Sequence, residues 1–451
     1  MNETRVQKLK GVLPPKVAVP LLFSYLVEHI AISLYWVFFG ISLEEDLGAS
    51  YLLIALVLSA PSIVSIFGTS LFSSIADRIG HHKELMVLSR IFLMAQYILL
   101  IFFRTKSIWI NLVILSVFAL FTQAFYILNS SLITIISQPS ERGKVISFQT
   151  VFASAGWMIG SGLSALIKSS MGIEGNLAFA AGLGMVAGFV TLFSSSKAWN
   201  HNQLESVDKT KEDIADLKQE EIVYTEILPK RTIVIPQDKK KQSSYWSIFK
   251  KKEILILLLV LALLDFGYGP FNTLTGLYLV DVGLSNNFIS LSNVIATLFG
   301  LILSFAISKP LDKRGRKPFL IIALIAYPII YGLMFLLSNY WIAIFMVYNY
   351  PLYAIKVPTA NTIMSDHTTE KERSRGLSLI SFEQIIMASA GGLIAATIAD
   401  NVELGIRIFP LFPVVFGIIA LILGIFFIKE SNEEFLKLKK ESEKMLVSLS
   451  E

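Results

Sequence analysis

The chain has 451 residues, 54% of them hydrophobic and only 16% charged, with a mean hydropathy of +0.64; ordinary soluble domains are roughly a quarter charged, so this composition excludes a soluble globular protein and requires lipid. No cysteine occurs, which excludes disulfides, thiolate metal sites and cysteine nucleophiles. The formal charge of +5 resides largely in the polar segments between apolar runs, where anionic lipid headgroups, and not nucleic acid, are the natural partners.

Met1 to Lys16 is polar and basic and leads into an apolar run too long for a signal-peptide core, so that run is read as a retained first helix. A helix needs about 20 apolar residues to cross the hydrocarbon, since every backbone N–H and C=O must be satisfied within the segment. Twelve such runs follow one another. They lie near residues 17–42, 50–72, 85–103, 108–137, 146–168 and 175–196, then near 253–280, 286–308, 318–338, 340–364, 377–399 and 406–428. The expected fold is thus an all-α membrane protein of twelve transmembrane helices. Its expected organisation is a first six-helix bundle over 1–196, a polar linker over 197–252, a second bundle over 253–428 and a tail over 429–451.

The loop charges orient the chain. The connections after helices 2, 4, 8 and 10 are rich in Lys and Arg, whereas those after the odd-numbered helices have only Arg104, Lys106, Lys168 and Arg407 as basic residues. The positive-inside rule then places both termini and the linker in the cytoplasm of a cell-membrane protein. Within the linker, Tyr245, Trp246, Ile248 and Phe249 precede Lys250 to Lys252 and read as an interfacial anchor ahead of helix 7.

The two bundles repeat each other at a displacement of 235 residues. Asp46-Leu-Gly48-Ala-Ser50 matches Asp281-Val-Gly283-Leu-Ser285; Asp77-Arg78-Ile-Gly80 matches Asp312-Lys313-Arg-Gly315; Ala153-Ser-Ala-Gly156 matches Ala388-Ser-Ala-Gly391. The loops after helices 2 and 8 resemble the Gly-x-x-x-Asp-Arg-x-Gly-Arg-Lys signature of the major facilitator superfamily. The second copy keeps Asp312, Lys313, Gly315, Arg316 and Lys317, with Ser308 for the first glycine; the first keeps Asp77, Arg78 and Gly80 but departs at Ser73, His81 and His82. The resemblance implies two pseudo-symmetric six-helix bundles. It also implies that these loops act as a conformational latch between the bundles, with a carboxylate accepting from a helix N-terminus or an arginine.

Ionisable residues inside a membrane helix cost several kcal/mol and face protein or a water-filled cavity. Four qualify: Glu28 in helix 1, Asp265 in helix 7, Lys356 in helix 10 and Glu383 in helix 11. In the resembled family helices 1, 4, 7 and 10 line the central cavity. The polar and aromatic residues at helical spacing there are Tyr25 and Tyr35; Gln123, Tyr126 and Asn129; Tyr268 and Asn272; and Asn349, Tyr353 and Lys356. Together they form the expected substrate cavity. Glu28 and Asp265 are the expected proton-coupling residues, because a carboxyl in low dielectric can take up a proton on one side and release it on the other. Two alternatives stand beside this: Lys356 pairs structurally with Glu383 or Asp265, or Asp265 satisfies backbone freed where Gly267, Gly269 and Pro270 loosen its helix. Arg90 is read as snorkelling to the surface and His29 as a polar packing residue.

The expected function is secondary transport of a small organic solute by alternating access, coupled to protons and without cofactor or metal, by a monomeric chain. Gly156-Trp-Met-Ile-Gly160-Ser-Gly162 resembles the helix-5 motif of the drug/proton antiporters, although Ser161 stands where their proline falls and helix 4 lacks their arginine. Efflux is therefore preferred narrowly over uptake of a sugar or organic anion. A non-transporting receptor or scaffold is the alternative from another class. Phosphate-loop, His-Glu-x-x-His and Gly-x-Ser-x-Gly motifs are missing, which argues against an enzyme.

Overall fold

The structure is a computed structural model that describes residues 18–79, 82–122, 124–136, 142–224, 248–313, 315–337 and 339–431. The interfacial anchor residues Tyr245 and Trp246, the whole basic N-terminus and nearly all of the tail lie outside that set.

The first bundle comprises α1 (Val19–Leu47), α2 (Tyr51–Ile79), α3 (His82–Phe103), α4 (Ile108–Thr122, continued by Ala124–Ile136) and the run Arg142–Tyr224. That run breaks at Gly172, whose φ of +68° turns the chain back, giving α5 before it and α6 after it. The second bundle comprises α7 (Lys252–Asp281), α8 (Asn286–Lys313), α9 (Lys317–Leu336), α10 (Asn339–His367), α11 (Glu370–Ala399) and α12 (Leu411–Phe427), the last preceded by a 3-10 turn at Gly405–Ile408.

Among the described residues ten helical stretches are long and apolar enough to cross a bilayer, and one of them, Phe148–Leu192, makes two crossings because of Gly172. The twelfth, α10, is not among the ten. It is 29 residues long but carries Asn349, Lys356, Thr359, Asn361 and Thr362, polar groups that only a protein-facing or water-facing position accommodates.

The side chains sort in the inverse of a soluble helix. On α12 the buried positions are Pro413, Gly417, Ala420 and Gly424, while Ile418, Ile422 and Phe426 are exposed, the last by 75%. Small residues let α12 approach α9 closely, and large apolar ones face lipid. The repeated Ala-Ser-Ala-Gly segments do the same work in the two bundles. A Cβ at Gly156 would collide with Leu26 of α1, and one at Gly391 would overlap the Phe266 carbonyl of α7.

Gly48 and Gly283, equivalent under the repeat, end α1 and α7 with φ of +56° and +87°. Only glycine holds that left-handed conformation cheaply, and it lets the chain reverse directly into the next helix. The aspartates two residues earlier are also used alike: Asp46 accepts from Arg104 and Asp281 from Arg407. With Lys168 bound to Glu45 at 3.0 Å, three of the four basic residues in the odd-numbered connections are neutralised by ion pairs.

We call the side where α1 begins and α12 ends proximal, and the opposite side distal. The bundles join through α1 and α2 against α7, α2 against α11, and α5 against α8. Hydrogen bonds between them are seen on the distal side. The Asp400 carboxylate, at the end of α11, accepts from the backbone N–H groups of Tyr51 and Leu52 at 3.0 Å each, and Ser164 meets Ser290 at 3.1 Å.

Candidate functional site

Polar groups inside the bundles collect in three places. The first lies in the proximal half of the first bundle, where Glu28 of α1 forms an ion pair with Arg90 of α3, the two side chains 1% and 2% exposed. The Arg90 guanidinium lies over the Phe125 ring, 3.6 Å from its centroid, and donates to the Thr122 carbonyl at 3.3 Å, so α3 is tied to α4 as well as to α1. Arg90 therefore does not snorkel. Pairing with Glu28 replaces the hydration that a surface position would supply, and the cation–π contact adds to it. Tyr25, His29 and Tyr126 enclose the pair with ring centroids 4.4 to 5.7 Å apart. His29 Nδ1 is bound to the Tyr25 carbonyl at 2.8 Å, as befits a packing residue.

The second cluster sits near mid-depth in the second bundle. Lys356 of α10 donates to Asp265 of α7, both almost fully buried. Of the partners open to Lys356 in the sequence it is Asp265 that binds it, and no hydrogen bond from the backbone beyond it to Asp265 is seen among the described residues. Glu383 of α11 lies within electrostatic reach of both. Its two carboxylate oxygens are shielded from solvent and have no hydrogen-bond partner, nor does it form an ion pair among the described residues. At 1.5 Å per residue, Asp265 and Glu383 are both about 20 Å along their helices from the proximal ends and Lys356 about 17 Å, so the three share one level. Tyr353 links to Gln384 at 3.1 Å beside them, with Lys356 Nζ 5.4 Å from its ring centroid.

The third feature is a cavity of about 270 Å³ on the seam between the bundles, distal to the second cluster. Trp36 of α1 and Trp157 of α5 meet Tyr268 and Asn272 of α7 and Asn293 and Thr297 of α8 there. The local chain explains its position. Pro270 removes a backbone donor, and one turn on, Leu274 leaves helical geometry at φ −123° and ψ +20°. The loosening expected from Gly267, Gly269 and Pro270 is thus present, and its far edge forms the cavity wall.

A family comparison decides the identity. The sequence profile of the Major Facilitator Superfamily matches residues 21–382, and again 295–450. The chain belongs to the Major Facilitator Superfamily. No curated protein sequence matches it significantly. Among solved structures it is similar to the nucleoside transporter NupG at 13% identity and a TM-score of 0.66, over 91% of this chain and 98% of that one. It is similar also to a bacterial homologue of the human lysosomal transporter Spinster, in an inward-facing and unoccupied conformation, at 15% identity and a TM-score of 0.67, over 93% and 97%. At such identities the likeness concerns the fold, that of twelve helices in two pseudo-symmetric bundles. As a facilitator the chain is a multi-pass secondary transporter of small molecules and not an enzyme.

Within this facilitator the expected cavity residues fall in different places. Tyr268 and Asn272 line the seam cavity. Tyr25 and Tyr126 surround the Glu28–Arg90 pair, and Lys356 and Tyr353 belong to the second cluster. Tyr35 lies in the core of the first bundle against Phe39 and Tyr97, 5% exposed and outside the cavity lining. Asn129 is fully buried and braces α1 and α5, through the Leu21 carbonyl at 3.5 Å and Gln149 at 3.2 Å. Gln123 lies outside the described residues, and so does the Asn349 side chain. Sequence reasoning missed Trp36 and Trp157 as lining residues, although Trp157 sits inside the glycine-rich helix-5 run.

The latch loops are seen only on one side. Gly80 and the side chains of Asp77, Arg78, Asp312 and Lys313 lie outside the described set. Gly315 has φ +85°. Arg316 pairs with Asp366 of its own bundle, and the Glu430 carboxylate accepts from the Arg316 and Lys317 backbone N–H groups at 2.9 and 3.0 Å, capping α9. The Lys317 ammonium donates to the Ile425 carbonyl at 2.8 Å.

Proposed function

We propose that this facilitator is a proton-coupled transporter of a small organic solute in the cell membrane, with the proximal side cytoplasmic, and that Glu383 carries the coupling proton. The observation behind the coupling is the unpartnered Glu383 carboxylate beside the Asp265–Lys356 pair. The Glu28–Arg90 cluster is neutral as it stands, so its carboxylate is already compensated. The second cluster has two carboxylates for one ammonium, and the surplus negative charge at mid-depth costs several kcal/mol. A proton on Glu383 removes that cost. Loss of the proton makes Glu383 a competitor of Asp265 for Lys356, which ties protonation to how α7, α10 and α11 sit against one another.

The positive-inside distribution supports the cytoplasmic assignment of the proximal side. The latch residues Asp77, Arg78, Asp312 and Arg316 would engage across the bundles in the state whose cytoplasmic side is closed. Export is the direction taken from the helix-5 resemblance. Gly156 and Gly160 of that run also make room for α1, a packing role that suits uptake equally.

The test is Glu383→Gln in proteoliposomes. Exchange of solute across the membrane is expected to persist while uphill, proton-driven accumulation is lost. Accumulation that still follows the pH gradient in this variant would refute the assignment. Accumulation by the parent protein in inverted, as against right-side-out, vesicles reads the direction.

A further inference from the structure

We propose that the seam cavity takes an uncharged, ring-bearing solute with hydroxyl or amide groups, and that the two tryptophans hold its faces while Asn272 reads its polar edge. The inference rests on the transporter reading above and names the solute class. It stands on three features of the cavity wall.

The first is charge. Among the described residues no acidic or basic side chain lines the cavity. The intramembrane Lys356 ammonium is committed to Asp265 and is not part of the wall. A carboxylate or phosphate solute would enter a low-dielectric space without a counter-ion, which is strongly unfavourable. An organic anion bound through Lys356 does not fit this arrangement.

The second is hydrogen-bonding capacity. Four polar side chains of the wall already have a donor engaged: Thr273 donates to the Gly269 carbonyl, Thr275 to that of Phe271, Asn293 to that of Ile289 and Thr297 to that of Asn293. Asn272 is different. Its side chain is exposed and lines the cavity, and it makes no hydrogen bond among the described residues, so its amide is left both to donate to and to accept from a solute. The indole N–H groups of Trp36 and Trp157 likewise have no acceptor among the described residues. A ligand group that both donates and accepts, such as a hydroxyl or a ring amide, matches what is left.

The third is shape. Trp36 and Trp157 come from the first bundle and Tyr268 and Asn272 from the second, so the wall is complete only when the distal side is closed. Aromatic and polar side chains in one wall suit a ring that carries polar substituents. The volume of about 270 Å³ lies near the lower limit of small-ligand pockets, roughly 300 Å³, which favours a single ring, with or without a small substituent, over a large amphiphile.

The sources of such a ring, a neutral heterocycle and a sugar, are separated by experiment. The purified full-length protein is titrated with uracil, uridine and methyl glucoside, and with the anions orotate and gluconate, while tryptophan fluorescence and thermal stability are followed. At least one uncharged compound is expected to quench the fluorescence and raise the Tm, with both anions at least tenfold weaker. Asn272→Ala and Trp157→Phe are expected to weaken that binding tenfold or more at an unchanged ligand-free Tm. Glu383→Gln is expected to leave it within threefold, so that loss of coupling and loss of the solute site are read separately. Uracil or uridine without methyl glucoside identifies a heterocycle; the reverse identifies a sugar. Binding of an anion as tight as its neutral counterpart, no response to any uncharged compound, or binding untouched by Asn272→Ala and Trp157→Phe overturns the proposal.

Discussion

Asp400 offers the sharpest test of how the two bundles are held. Its carboxylate receives two backbone N–H groups of α2, each at 3.0 Å, and belongs to the other bundle. Asp400→Ala returns those N–H groups to water and removes a negative charge from a helix N-terminus. Loss of such a cap costs about 1 kcal/mol, and the charge at the helix end adds about 0.3 to 1 kcal/mol, the lower part of that range because Asp400 is exposed and screened. The distal-closed state should therefore lose about 1 to 2 kcal/mol relative to the distal-open one, which shifts their ratio by roughly 5- to 30-fold. Because the chain has no cysteine, Asn272→Cys provides a unique reporter in the cavity wall. The rate of its labelling by an impermeant maleimide from the distal side should rise by that factor in Asp400→Ala, less in Asp400→Asn, and less again for the parent–variant difference in 1 M salt. Arg407→Ala, which removes a distal ion pair within one bundle, serves as control. An Asp400→Ala rate within twofold of the parent's, or an equal rise in the control, would refute the clamp.

Other expectations follow from the buried pairs and close contacts. Arg90→Ala leaves Glu28 uncompensated and should cost about 3 to 5 kcal/mol, seen as a marked fall in Tm in detergent; combining Arg90→Gln with Glu28→Gln should recover much of it, and no recovery would mean that the Phe125 contact dominates. Gly391→Val puts a side chain where the Phe266 carbonyl lies and should separate α7 from α11, lowering both Tm and transport, whereas Gly182→Ala, with nothing within 4 Å of its added carbon, should be silent in both. At the proximal end the Lys251 ammonium, 2.7 Å away, and the Thr369 backbone N–H hold the Glu372 carboxyl down at about 2, well below the usual carboxylate value of 4.5. A depressed folded-state pKa stabilises above the unfolded value and is lost as the carboxyl protonates. Stability should thus fall as the pH drops from about 4.5 towards 2, and Glu372→Gln should flatten that part of the Tm–pH curve; an unchanged slope would exclude Glu372 as its source.

The sequence by itself determined the twelve crossings, the two bundles and their repeat. Bilayer thickness demands apolar runs of a set length, and unmet backbone groups in lipid forbid other spanning structures. It also singled out Glu28, Asp265, Lys356 and Glu383, because a charge in such a run is conspicuous wherever it points. The paired glycines at 48 and 283 were legible as a repeat, and only their left-handed backbone gave the reason.

Partnership was decided by tertiary structure alone. Arg90, near a helix end, looked free to reach the surface, and only the rotation of α3 against α1 brings it onto Glu28. The same holds for Lys356, for which the sequence offered both Asp265 and Glu383 and the packing of α7, α10 and α11 brings it onto Asp265. Trp36 was passed over because Tyr35 beside it lies on the same stripe as Glu28, yet Tyr35 faces the core and Trp36 the seam. A periodic pattern specifies which residues share a face of a helix; what that face meets depends on how the helices are turned towards one another.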